Sequence, residues 1–355
     1  MPTTIRDVAA TARVSAGTVS RVLNGKQDVS DELRRRVLAA ISELGYRPNG
    51  AARSLRTRAA MVLGIVIADV TNSFFTEVVR GAEDRAQKAG YSVVLANADE
   101  DLGKEARYLE IAAAEQMAGV ILSPASSKQT TIDVLSERGI PVVTIDRRLT
   151  TRSVDSVTVN NYQAARAATA HLIGQGCARI GIIAGPVQLT TGARRLAGYR
   201  TALHEADRDD DPALTAFGNF RTDGGYTAAR KLLGLPRPPD GLLISNDLMT
   251  IGSLQAIAEA DLAIPGDIAV VGFDNASWAT ALRPPLTVVT QPAYEIGQTA
   301  ADLLLRRVGG EKFPPRRVVL EACLIERASS RRVQGDGRLP ASPDHRNDVK
   351  GPTTS

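Results

Sequence analysis

A chain of 355 residues with 43% hydrophobic and 23% charged residues is a globular protein of two or three domains, at about 100–200 residues each, and can bury a sizeable core. The net charge of +4 is uneven: residues 1–58 carry eleven Lys/Arg against five Asp/Glu, so a basic head precedes a slightly acidic body and is suited to a polyanion. Cys177 and Cys323 stand far apart and indicate no disulfide framework, His171, His204 and His345 have no metal-ligand spacing, and the longest apolar run, Ala59 to Ala68, is far below the ~20 residues that span a bilayer. No charged-then-apolar signal pattern opens the chain, and the expected location is the cytoplasm.

Thr4 is placed to cap a helix starting at Ile5, in which Ile5, Val8, Ala9 and Ala12 recur on one buried stripe. Arg13-Val14-Ser15 breaks that pattern, and Ser15 is the expected N-cap of a second helix. There Val19, Val22 and Leu23 are expected to face inward and Gly17, Thr18, Ser20 and Arg21 outward, with Asn24-Gly25 closing the helix. Two helices joined by a tight turn, the second with small and hydroxyl residues and an arginine on its free face, suit entry into a major groove. Ser30 then caps a third helix, with Asp31 and Glu32 at its positive end and Leu33, Val37, Ile41 and Leu44 at helical spacing. Of Arg34, Arg35 and Arg36, not all can face the core. After Tyr46-Arg47-Pro48, Asn49 can cap one more segment, Gly50 to Leu55, too short to be helical alone because ~12–15 residues are marginal.

From Val62 the pattern becomes short β-branched runs alternating with amphipathic helices. The first round is VLGIVIAD, 74–89, YSVVLANA, 104–116, GVILSP, 132–138 and PVVTID. The second is SVTVN, 162–173, RIGIIAG, 194–206, LTAFGNF, 226–233, GLLISN, 248–260 and IAVVGFDN. Two rounds of βα units mean two doubly wound parallel sheets, and ligands of such sheets bind beyond the carboxyl ends of the strands. The candidates there are Asp69, Asn72, Ser123, Asp146, Asn246 with Asp247, and Asp274 with Asn275; Asp247 is expected to cap the helix that follows it, and Trp278 to rim the site. Gly-x-Gly-x-x-Gly, P-loop and His-Glu-x-x-His patterns are missing, so neither an enzyme nor a cofactor is expected.

The run TIRDVAATARVSAGTVSRVLN, continued by VSDELRRRVLAAISELGYRPNGAARSLRT, closely resembles the DNA-binding headpiece of the lactose-repressor (LacI/GalR) family. The resemblance continues through an effector-binding core to about Ala328. It implies a small all-α helix-turn-helix headpiece at 1–46, a hinge at 47–60 and a core at 61–330. In that core, lobe one would hold about 61–160 and 292–320, and lobe two about 161–291 and 321–330. Residues 331–355, rich in Pro, Gly and charge, are expected to be a disordered tail without the leucine heptads that build tetramers.

By the same resemblance Ala16, Gly17 and Arg21 read base edges, Arg21 by pairing with guanine, while Thr18 and Ser20 suit phosphate oxygens. Ala16 and Gly17 depart from members with larger polar residues there, which leaves direct reading mainly to Arg21. The hinge segment of two copies would form on the operator, Ala52 permitting close approach and Leu55 wedging into the central base step. The DNA-contact set is thus Thr4, Ser15, Ala16, Gly17, Thr18, Ser20, Arg21, Asn24, Ala52 and Leu55. The implied effector set is Asn72, Phe74 and Phe75 of Asn-x-Phe-Phe, with Asp146, Arg195, Asn246, Asp274 and Gln291. The expectation is a dimeric repressor on a pseudo-palindromic operator, answering to a small molecule: a sugar, or else a nucleoside, a nucleobase or a protein partner. A sugar-binding protein without regulatory role would have no use for the basic head.

Overall fold

The computed structural model describes residues 4–23, 29–45 and 61–332; Asn24, the hinge residues Ala52 and Leu55, and the chain beyond 332 lie outside them. Helix α1 (Ile5–Thr11) opens with a capping box, in which Asp7 N–H donates to Thr4 Oγ1 at 3.4 Å and Thr4 N–H donates to the Asp7 carboxylate at 2.7 Å. Ser15 Oγ accepts from Thr18 N–H at 3.1 Å before α2 (Ala16–Leu23), and Ser30 caps α3 (Asp31–Glu43). Val8, Val19 and Val37, one per helix, are fully buried at the centre. Arg13 ends α1 in the left-handed region, at φ 51°, a position that glycine usually takes. Arg36 reaches across from α3 and donates to the carbonyls of Ala12 (2.7 Å) and Arg13 (3.2 Å) just past the end of α1, so this arginine serves the fold.

The core is two sheets. Strands β1 (Val62–Ile67), β2 (Ser92–Asn97), β3 (Gly119–Leu122), β4 (Val142–Ile145) and β5 (Asp155–Val159) come first. Then follow β6 (Ile180–Ala184), β7 (Thr215–Phe217), β8 (Gly241–Ile244), β9 (Ala269–Phe273) and β10 (Thr287–Thr290), and last β11 (Arg317–Leu320) and β12 (Cys323–Ile325). The first sheet runs β11-β5-β4-β3-β1-β2 and is wholly parallel; the second runs β12-β10-β9-β8-β6-β7, with only β12 antiparallel. Each sheet reverses its winding beside its first strand, which opens a crevice at the carboxyl ends. The chain passes between sheets after β5, after β10 and between β11 and β12.

The alternation read from the sequence stops at IAVVGFDN, and β10, β11, β12 and helix Ala293–Val308 continue it. The segment expected to be helical over 132–138 keeps only Asp133–Ser136. Helix Ala293–Val308 crosses helix Ser73–Lys88 at reciprocal glycines: a Cβ on Gly81 would overlap the Tyr294 carbonyl, and one on Gly297 the Val78 carbonyl. The second lobe repeats the device, with Gly225 against Met249 and Gly252 against Thr222. Because overpacking forces backbones apart, Gly297→Ala should lower core stability by about 1–3 kcal/mol in urea unfolding. An unchanged midpoint would mean that the two helices do not approach this closely.

Candidate functional site

On the headpiece, Ala16, Gly17 and Arg21 are exposed, as are Thr4 and Ser15, and Thr18 is half-buried. Ser20 is the exception to the outward face expected from the sequence, since only 5% of it is accessible. At 100° per residue, positions 19, 20 and 22 span an arc of roughly 160°, wider than the ~100° stripe of a helix with one neighbour. Helix α2 packs against both α1 and α3, and Ser20 falls inside that widened arc.

In the core, two strand ends share one geometry. Asp146 follows β4 at φ 61° and Asp274 follows β9 at φ 71°. Each is held by its backbone N–H, Asp146 on Val157 O at 3.1 Å and Asp274 on Val289 O at 2.8 Å. The left-handed turn, which costs roughly 1–2 kcal/mol at a non-glycine residue, carries both carboxylates off the sheet into the crevice. All eight residues assigned from the sequence line a single cleft there: Asn72, Phe74, Phe75, Asp146, Arg195, Asn246, Asp274 and Gln291. The cleft also takes in Asp69, Glu100, Arg147, Thr191, Asn219, Phe220 and Arg221. Ser123 and Trp278 are not among its lining, and Trp278 packs against the hydrophobic core of the second lobe instead.

Several of these side chains also hold the local fold. Asn72 Oδ1 accepts from Phe74 N–H at 2.8 Å and starts helix Ser73–Lys88, with Phe74 and Phe75 packed edge to face. Asn246, not Asp247, caps helix Asp247–Glu259: its Oδ1 accepts from Met249 N–H at 2.9 Å, and its Nδ2 donates to Phe220 O at 2.8 Å. Asp247 instead accepts from Ser73 Oγ at 2.7 Å, a bond from lobe to lobe. Arg195 donates to Asn161 Oδ1 at 2.6 Å and to Ser245 O, and its guanidinium lies 4.2 Å from the Phe273 ring centre. Gln291 Nε2 donates to Asp274 Oδ1 at 2.6 Å.

Residues 4–49 match "Bacterial regulatory proteins, lacI family", and residues 169–330 match "Periplasmic binding protein-like domain". The HTH-type transcriptional regulator RegA of Clostridium saccharobutylicum is 34% identical over 331 residues, 93% of this chain and 100% of its own. The ribose operon repressor of Escherichia coli K12 is 35% identical over 328 residues, 92% of this chain and 99% of its own. Among solved structures, the lac repressor dimer bound to operator and the anti-inducer ONPF superposes with a TM-score of 0.83 at 27% identity, covering 93% of this chain and 99% of that one.

The chain belongs to the lacI family of bacterial regulatory proteins. It is a DNA-binding regulator with an effector-binding core, and its relatives are regulators, not enzymes.

What a lacI-family cleft of this composition can do follows from its charges. Burial pushes the Asp274 carboxyl up to about 7, the nearby Asp247 adding to the rise and Arg195 opposing it. Burial likewise raises Asp146 against the pull of Arg147 and Arg195, and lowers Arg195 against the pull of Asp274 and Asp146. Arg147 is 2% exposed and burial works against its charge, yet its bidentate bonds to Glu100 (2.6 and 2.7 Å) hold its pKa above the ordinary value. Three buried polar atoms of the lining have no hydrogen-bond partner: Thr191 Oγ1, Gln291 Oε1 and Arg147 Nε, the last 3.2 Å from Asp146 without alignment. A hydroxyl-rich guest supplies what they lack, since each unmet buried group costs about 1–3 kcal/mol.

Arg147, Glu100 and Phe220 escaped the sequence reading. Arg147 had a signal in its place right after Asp146, but Glu100 and Phe220 sit in loops that only folding brings to the cleft. Asp274 also sets a pH dependence. Its folded pKa of about 7 lies above an unfolded value near 4, so the folded state keeps a proton between those limits that the unfolded chain has lost. Its contribution to stability should therefore fall as pH rises through that window, by up to about 1.4 kcal/mol per unit, and level off above 7. Urea unfolding at pH 5, 6, 7 and 8 should show a shallower decline for Asp274→Asn than for the parent, and parallel curves would remove Asp274 from the titration.

Proposed function

We propose that this regulator is a repressor which binds a pseudo-palindromic operator as a homodimer and takes a pentose sugar as effector in the cleft between its lobes. The observation that carries the effector class is the lining itself: carboxylates, guanidiniums and amides beside Phe74, Phe75 and Phe220, with buried acceptors and donors left unmet. A sugar ring offers apolar faces for aromatic rings and a rim of hydroxyls that can both donate and accept. The ribose operon repressor of Escherichia coli and a lacI-family regulator of Enterococcus faecium with bound ribose, 27% identical at a TM-score of 0.68, support the pentose.

A regulator that acts on DNA works in the cytoplasm. The described residues hold no helix long and apolar enough to cross a membrane. The homodimer is supported by the dimeric lac repressor and by two sheet edges. Val94 and Leu95 on β2 and Phe217 on β7 are large exposed apolar residues on strands with one free side, a surface that a second copy can cover.

Two experiments test this reading. In a thermal-shift screen of pentoses, hexoses and nucleosides, ribose at 100 times its dissociation constant should add about 2.7 kcal/mol of stability. Asp274→Asn and Arg195→Ala should abolish that shift while leaving the unliganded protein folded; a shift with nucleosides alone would reassign the effector. On the headpiece, Arg21→Ala should weaken operator binding by about 1–3 kcal/mol per half-site and relax preference at one base pair. Equal weakening on all DNA sequences would make Arg21 a phosphate contact.

A further inference from the structure

We propose that the groove on the β5–β11 side of the core binds a small phosphorylated metabolite, its phosphate group held by Arg148, Arg194 and Arg317. The groove lies apart from the bottom of the effector cleft, although Asp146 borders both. Its floor is built by sheet register. Thr144 on β4 pairs with Ser156 on β5, and Ser156 with Arg317 on β11, so the three stand side by side on one face of the first sheet. Arg148 follows β4, and helix Thr190–Glu205 across the groove supplies Thr190 at its start and Arg194 one turn on.

The electrostatics are one-sided. Among the described residues, Arg148, Arg194 and Arg317 make no ion pair and no side-chain hydrogen bond, whereas Arg152 at the rim is committed to Asp133. Asp146 is the one acidic residue lining the groove, and Arg147 lies 3.2 Å from its carboxylate. Helix Thr190–Glu205 starts without a side-chain cap, and its first N–H groups and positive dipole end add to the attraction for an anion. A second, independent observation is Ser156: the residue is 2% exposed, it lines the groove beside Arg148, Thr190 and Arg317, and its Oγ has no partner. Phosphate provides the acceptor oxygens that guanidinium forks, a hydroxyl and helix amides together require. A carboxylate has fewer oxygens to offer them.

Arg148 and Arg317 belong to the first lobe, and Thr190 and Arg194 to the second. An anion held by both sets therefore favours the lobe spacing that brings them together, so the groove acts as a second input beside the cleft.

The test is calorimetric titration of the full chain with ribose 5-phosphate and with inorganic phosphate, at ionic strength held constant with sodium chloride. Saturable binding is expected, weakened at least tenfold by Arg148→Ala and by Arg317→Ala and severalfold by Ser156→Ala. Arg317 is exposed, so its variant should keep the parent's melting temperature and read binding alone. Asp274→Asn, which disables the cleft, should leave phosphate binding unchanged. No saturable heat, or equal affinity in the Arg148→Ala/Arg317→Ala double variant, would overturn the groove site. Binding lost in Asp274→Asn but kept in the groove variants would assign the phosphate to the cleft, and inorganic phosphate binding more tightly than ribose 5-phosphate would overturn a metabolite in favour of the free ion.

Discussion

The core depends on how four charged groups are kept in a place that excludes water. Asp146, Arg147, Arg195 and Asp274 are each 8% exposed or less, and an isolated charge so buried would be untenable. They survive because none is isolated. Arg195 is attracted by both carboxylates, one from each lobe, and Arg147 is neutralised by Glu100 as well as Asp146. Burial still wins at Asp274, whose carboxyl is half-protonated near neutrality. Separating the lobes would hydrate all four, so the closed arrangement rests on their mutual attraction and on whatever a guest adds to it.

That balance is built by repeating one design twice. Both lobes carry the same strand order, end a central strand in a left-handed aspartate and bring two helices together at reciprocal glycines. Close helix crossings make each lobe a stiff body, so motion is left to the three passages between sheets. Across the cleft the lobes touch through few direct bonds: Ser73 Oγ to Asp247 at 2.7 Å, and Arg221 to the Asp99 carbonyl at 3.1 Å. Each is worth only about 0.5–3 kcal/mol net. A ligand engaging both lobes contributes on the same scale and can decide the equilibrium.

How much of this was legible follows from which residues report their own surroundings. Parallel strands covered on both faces must be β-branched and apolar, so VLGIVI and AVVGF announced themselves, and the polar residue after each run marked the cleft. Strands β10, β11 and β12 and their helix lie beyond the point where the alternation was followed. Ser20 was misplaced because a stripe rule counts one neighbour, whereas α2 has two. Asn246 and Asp247 exchanged roles because either side chain can cap a helix. The choice was settled by Ser73, 174 residues away and on the other lobe. Trp278 packs against the core of the second lobe because a large aromatic beside a strand end has apolar area to bury whichever way it turns.

The same physics bears on how a small guest reaches DNA without touching it. A guest changes the regulator only by the difference between its affinities for the open and closed lobes, typically about 1–3 kcal/mol. Closure and guest binding thus form one linked step, and the spacing of the lobes is its mechanical output. A headpiece joined to a stiff first lobe needs no further signal than that spacing, because two headpieces can engage two half-sites only when they are held one helical turn of DNA, or a multiple of it, apart.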